Sequence, residues 1–147
     1  MARAYTSQGI VEIPRMAAPV VTSTLVLPAN RMTGLIADEA ISAGDACHVT
    51  PAGRAQRSIA NRDEASADVR GFALTDAAAG QPITLAFDVT MRYGTGLAAG
   101  TECLYLSGAV SGGLSDAPIR EGTEPIAFVV NDTDIHLLQS PVLEPTP

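Results

Sequence analysis

A chain of 147 residues suits one domain, and its formal charge of −7, with every cation an arginine and no lysine, leaves no basic cluster to hold a phosphate backbone. No apolar run approaches the roughly 20 residues of a membrane-spanning helix. Hydrophobic residues make up 46% of the chain but aromatics only 4%, so the core must come from Val, Leu, Ile and Ala, and association would add stability that few large anchors supply.

Residues 1–31 read as an N-terminal extended arm or edge strand. Met1 to Gly9 lacks the charged-then-apolar order of a signal peptide, so the product is expected to start in a cytoplasm. Pro14, Pro19 and Pro28 interrupt the segment. Between the last two prolines Val20, Val21, Thr22, Ser23, Thr24, Leu25, Val26 and Leu27 form an uncharged, β-prone run. Left bare, such a strand invites aggregation, so something should cover it. Two readings stand: the first strand of the barrel, or an arm that pairs with a neighbouring subunit.

Residues 32–139 carry the signals of a compact all-β domain. Ala43-Gly44-Asp45, Ala79-Gly80-Gln81 and Ala99-Gly100-Thr101 each close a turn and release a β-prone run. They bear no obvious reactive group and read as scaffold. Gly34–Ala37 and Ala46–Val49 are strands, and Thr50-Pro51-Ala52-Gly53 is a turn that returns Arg54–Ser58 as a hairpin partner. Residues 59–68 lack a helical apolar stripe and read as a loop or a single helical turn. Val69–Leu74 resumes strand, and Ile83, Leu85 and Phe87 alternate with polar or small neighbours before Val89–Tyr93.

Further on, Leu104 and Leu106 face one side of a strand and Cys103 and Tyr105 the other. Ala109-Val110 precedes Ser111-Gly112-Gly113-Leu114, which reads as a flexible hairpin tip. Ile126, Phe128 and Val130 alternate, Asn131–Asp134 turns, and Ile135–Leu138 closes the domain. Residues 140–147, with three prolines, are a C-terminal tail. The sum is a β-barrel or sandwich of about eight to ten short strands.

Candidate chemistry is sparse. Cys47, His48, Cys103 and His136 lack metal-ligand spacing, and Cys47 and His48 point to opposite faces of one strand, so ordinary core cysteines and surface histidines are expected. A Cys47–Cys103 disulfide is left open. Asp38-Glu39, Asp63-Glu64 and Asp132/Asp134 fall in turns and read as solvated acids. Neither histidine lies in a nucleophile motif, and Gly94-Thr95-Gly96 alone is too weak for a phosphate cradle. The sequence supplies no catalytic, metal or cofactor set, and the reading is of a protein that is not an enzyme.

The order of these motifs resembles the small β-barrel decoration, or cement, proteins of tailed bacteriophage capsids. The match runs from Gly34-Leu35-Ile36-Ala37 through Ile41–Ala46, Thr50–Gly53, Gly71-Phe72-Ala73 and Ala79–Ile83. It continues through Leu97–Thr101, Tyr105–Ser107, Gly112-Gly113-Leu114 and Pro125–Val129, covering about residues 33–139. The resemblance implies a non-enzymatic virion protein on the capsid exterior, assembled in the host cytoplasm. Its partners would be the major capsid protein and further copies of itself, a trimer being favoured, with no nucleic acid and no membrane. Similar modules also occur in tails, baseplates and head fibres, which is the alternative. The family brings no catalytic residues. Contacts with the shell or a neighbouring subunit are expected at Val20, Val21, Thr22, Thr24, Leu25, Val26 and Leu27 and at the Gly112-Gly113 tip.

Overall fold

The computed structural model of the chain describes residues 12–23, 30–60, 67–95, 97, 103–118 and 124–138. These residues form an all-β structure of eleven strands. No helix among them is long and apolar enough to cross a membrane.

Five strands close a small barrel: β2 (Arg31–Ala37), β3 (Ala46–Val49), β4 (Arg54–Arg57), β5 (Gly71–Ala73) and β6 (Pro82–Ala86), in the order β2-β4-β3-β5-β6. Closure comes from a parallel contact between β2 and β4, with Ile36 opposite Arg54 and Ala37 opposite Ala55, while the other pairs are antiparallel. A register shift in β2 between Met32 and Leu35 bends the strand, as a bulge at a barrel corner does. A five-stranded barrel has a narrow interior, and here alanines at 37, 55, 73 and 77 share it with Leu35, Ile83 and Leu85. The Thr50–Gly53 turn forms, the Gly53 N–H donating to the Thr50 carbonyl at 2.9 Å.

The remaining strands form an antiparallel sheet. They are β1 (Val20–Val21), β7 (Thr90–Arg92), β8 (Cys103–Leu106), β9 (Leu114–Ser115), β10 (Ala127–Val129) and β11 (Asp134–Leu137), in the order β1-β7-β11-β10-β8-β9. Alternation places Met91, Leu104, Leu106, Val129, Ile135 and Leu137 on its inner face, all buried. That face packs on the outside of the barrel, where Ala46, Phe72 and Ala86 join its cluster. Phe72 therefore points out of the barrel while Ala73 points in, and all three residues of β5 are buried. This double coverage explains why β5 shows no polar alternation.

The described part of the N-terminal segment lies on the chain's own sheet. Glu12 bridges to Ser115, and the Ile13 N–H donates to the Leu114 carbonyl at 2.9 Å. The Met16 N–H then donates to the Tyr93 carbonyl at 2.7 Å, and β1 pairs with β7, Val20 opposite Arg92 and Val21 opposite Met91. Residues 12–16 thus span from the β9 edge to the end of β7 and bridge the two sides of the open sheet. Of the segment expected as an extended arm, an edge strand or the first strand of the barrel, Val20–Val21 is an edge strand of the six-stranded sheet and not part of the barrel.

Candidate functional site

The N-terminal segment roofs a cleft of about 300 Å³. Glu12, Ile13 and Arg15 line it from the segment and Tyr93 from the end of β7; Val110, Gly113 and Leu114 close the other side. Val110 stands at the rim, 48% exposed. The segment approaches its bed closely enough to dictate glycine. A Cβ on Gly94 would collide with the Pro14 carbonyl oxygen, and one on Gly44 would come within 2.8 Å of the Pro19 ring. Gly44 also adopts φ +89°, which disfavours any side chain.

One buried ion pair fastens the roof. The Arg15 guanidinium meets Asp45 Oδ1 at 2.7 Å, and the Asp45 side chain is only 3% exposed. The other carboxylate oxygen accepts the Ser42 N–H at 2.8 Å. Gly112 (φ +77°) packs on Asp45, where a Cβ would lie 2.7 Å from Oδ1. Arg15 is also close to the Tyr93 ring, its guanidinium carbon 5.9 Å from the ring centre. Burial alone would lower the Arg15 pKa, but Tyr93 and Asp45 raise it, so the cation persists. Burial pushes the Tyr93 hydroxyl up to about 12, against the pull of Arg15. A side-chain hydrogen bond between Arg15 and Tyr93 contributes to both shifts, although among the described residues neither Arg15 Nη1 nor the Tyr93 hydroxyl has a partner of full hydrogen-bond geometry.

Sequence reasoning passed over this cluster. Asp45 belongs to the first Ala-Gly turn, read as bare scaffold, and nothing local distinguishes it from the second turn. Gly80 of that second turn has open space where a Cβ would be, whereas Gly44 lies beneath the segment. Only the pairing of residues 12–16 across the fold brings Arg15 to Asp45.

The expected contact residues divide. Val20 is 51% exposed on β1 and Val21 is half-buried; the Thr22 N–H donates to the Thr90 carbonyl at 2.8 Å. Thr24, Leu25, Val26 and Leu27 lie outside the described residues, as do Asp63, Glu64 and the 140–147 tail. Gly112 and Gly113 are buried rather than displayed at a flexible tip. The Gly112 N–H donates to the Ser58 carbonyl at 2.7 Å, and its carbonyl accepts the Ala46 N–H at 2.9 Å. The hairpin itself forms, β8 pairing antiparallel with β9 (Tyr105 opposite Ser115, Leu106 opposite Leu114), but its Gly112-Gly113 end docks against the barrel instead of projecting as a flexible tip.

The titratable candidates also part company. Cys47 is buried inside the barrel and Cys103 is exposed on the sheet, both as free thiols. Burial pushes the Cys47 thiol well up. His48 is not a surface histidine: it is 6% exposed, between Ser58 Oγ (3.2 Å) and Gln56 Oε1 (3.1 Å), because the second face of β3 is covered too. Asp38 accepts from Gln56 Nε2 at 2.6 Å, and Glu39 accepts the Arg57 N–H at 2.8 Å. Asp134 is not a solvated turn acid but the first residue of β11, 9% exposed and 3.3 Å from Arg92 Nε. Among the described residues no group of three or more His, Cys, Asp or Glu is placed to hold a metal ion.

On the outer sheet face His136 lies between Thr90 Oγ1 (3.1 Å) and Asp88 Oδ1 (3.3 Å), a hydroxyl–imidazole–carboxylate line that no local motif announces. It lies on a sheet surface, its carboxylate 56% exposed. The Thr90 N–H beside it is already donated to Ser23 Oγ at 2.9 Å. The line orients the imidazole, which stacks on Phe128 with ring centres 5.3 Å apart. No protein-family model matches this chain, and no curated protein matches it.

Proposed function

We propose that this chain is a non-enzymatic structural protein of a bacteriophage virion, which docks on the outside of the capsid and stabilises the lattice of major capsid protein. The observation that carries the reading is the edge strand β1. It pairs with β7 on one side, and at its outer end Val20 is 51% exposed. An edge of this kind adds a strand from a partner through main-chain hydrogen bonds, which need no reactive group and no charge. Farther across the same sheet, beyond β7 and β11, Phe128 on β10 (36% exposed) and Val130 just after it (43%) offer apolar contact to a partner that spans the sheet. The order of turn glycines and strands, similar to capsid decoration proteins, supplies the identity of that partner. Repeated over a lattice, modest single contacts become firm attachment through avidity.

Capsid shells assembled without this chain provide the test. Purified protein added back should decorate them in proportion to the major capsid protein, and Val20→Asp should cut occupancy by at least tenfold at equal concentration. A few copies per particle would point instead to a tail, baseplate or fibre module. Absence of any binding to shells would sink the reading.

A further inference from the structure

We propose that His48 is a proton-gated latch in the barrel: with a proton on each ring nitrogen it closes an unbroken hydrogen-bonded line from the Asp38 carboxylate to the Asp68 carbonyl, and on losing one it releases Gln56. Four contacts make the line. Gln56 Nε2 donates to Asp38 Oδ2 at 2.6 Å, and Gln56 Oε1 faces His48 Nε2 at 3.1 Å. His48 Nδ1 faces Ser58 Oγ at 3.2 Å, and the Ser58 hydroxyl donates to the Asp68 main-chain carbonyl at 2.5 Å. Both ends of the line are pure acceptors, a carboxylate and a backbone carbonyl, and this fixes every proton between them. Ser58 gives its single hydroxyl proton to Asp68, so its oxygen accepts from His48 Nδ1–H. Gln56 turns its amide N–H groups to Asp38, so its Oε1 accepts from His48 Nε2–H. Turning the Gln56 amide over does not help, because Oε1 would then oppose the Asp38 carboxylate. A neutral imidazole has one N–H and cannot serve both neighbours.

The place of the line in the fold makes that proton count matter. His48 and Ser58 are buried, so a lost link is not simply replaced by water. His48 and Gln56 are cross-strand partners on β3 and β4, Asp38 follows β2, and Asp68 precedes β5, so the line gathers four barrel strands at one side. The charges around it are matched. Asp38 lies 4.0 Å from Arg54, Glu39 3.3 Å from Arg57 and Asp68 3.0 Å from Arg70. With each carboxylate facing an arginine, hydrogen bonding rather than net charge decides whether the line holds. Once Nε2 has lost its proton, two lone pairs oppose each other at 3.1 Å, and the half-buried Gln56 turns out to water. The closed state binds one proton more than the open state, so acid closes the latch and rising pH opens it. The latch lies in the barrel, apart from the edge strand and sheet face assigned to the capsid, and does not require that reading.

The chain holds two histidines, so His136→Gln, on the outer sheet face, leaves His48 as the sole imidazole. The test follows this full-length, isotope-labelled variant by NMR from about pH 5 to about pH 8, the span in which an imidazole changes charge. At the acid end both ring nitrogens should carry protons. As the pH rises, the His48 ring and the Gln56 side-chain amide should move along one curve with a common midpoint. Adding Gln56→Met, which keeps the length of the side chain and removes its acceptor, should lower the midpoint of the ring by about half a pH unit, the worth of one hydrogen bond. Three results would each overturn the proposal: a His48 ring that does not titrate in this span, a Gln56 amide that does not follow the ring, or an unchanged midpoint in Gln56→Met. The first two need no change at Gln56, so they decide even where that variant does not fold.

Discussion

The barrel and the six-stranded sheet solve the edge problem of β-structure in opposite ways. The barrel is built from one stretch, residues 31–86, and pairs every strand on both sides, so its strand pairing is complete within that stretch. The sheet gathers β1 from the N-terminal segment and its other strands from residues 90–137, and it remains open. Its two sides are linked through residues 12–16, which bond to Leu114 on one and to Tyr93 on the other. Closure makes the barrel a platform. Openness gives the sheet its edge strand and its exposed apolar face, so the surfaces argued above for recognition belong to the half that depends on a borrowed segment.

The sharpest way to break this arrangement is at the joint. Phe72 is 2% exposed and belongs to the sheet's cluster while its neighbour Ala73 belongs to the barrel's. Phe72→Ala should cost about 4 kcal/mol, the transfer of a buried ring plus the cavity it leaves. Chemical denaturation should show either a large fall in midpoint or two separated transitions, the sheet melting first. A loss below about 1 kcal/mol would mean that the two halves do not rely on this contact.

Arg15→Ala should cost less, about 3 kcal/mol and about 10 °C in Tm, because it strands the Asp45 carboxylate in a nearly dry site. The loss should fall on one side of the comparison. Hydrogen exchange should quicken at Ile13 and Met16, whose N–H groups hold the segment to Leu114 and Tyr93, and stay slow in the barrel at Phe72 and Leu85. Adding Asp45→Asn should recover part of the stability, since it removes the charge left unpaired; a purely additive double variant would contradict the ion pair's role.

How legible each half was in the sequence follows from the same contrast. The barrel strands were readable because Ala46–Val49, Arg54–Arg57 and Ile83–Leu85 are local runs bounded by turn residues, and turn chemistry acts over a few residues. Alternation also gave the faces of Leu104, Leu106 and Cys103 correctly. What was hidden depends on distant pairing. Asp45 looks like any turn acid until Arg15 arrives from thirty positions away, roughly the reach that periodicity cannot see. His48 looked like a surface residue because covering of both faces of β3 is a tertiary fact. The Gly112-Gly113 pair looked like a flexible tip because glycine signals both mobility and tight approach, and here Asp45 selects the second.

The smallest expected effect concerns Tyr93, and it separates the cleft from the rest of the sheet by pH. At neutral pH, Tyr93→Phe should change stability by less than about 1 kcal/mol, since the deleted hydroxyl makes no hydrogen bond of full geometry among the described residues and only a weak one with Arg15. Above pH 10 the two proteins should diverge. Burial raises the Tyr93 pKa from 10.0 to about 12 in the folded protein. Between those values the unfolded chain releases a proton that the folded chain keeps, so the folded state loses stability as pH rises. The contribution is full below pH 10 and gone by about pH 12, and amounts to about 3 kcal/mol at most. Wild-type stability measured by denaturant should therefore fall across pH 10–12 more steeply than that of Tyr93→Phe, and a difference absorbance titration of the pair should place the Tyr93 ionisation near 12. Parallel slopes would show that the hydroxyl reaches solvent, and with it that the cleft is wetter than its lining implies.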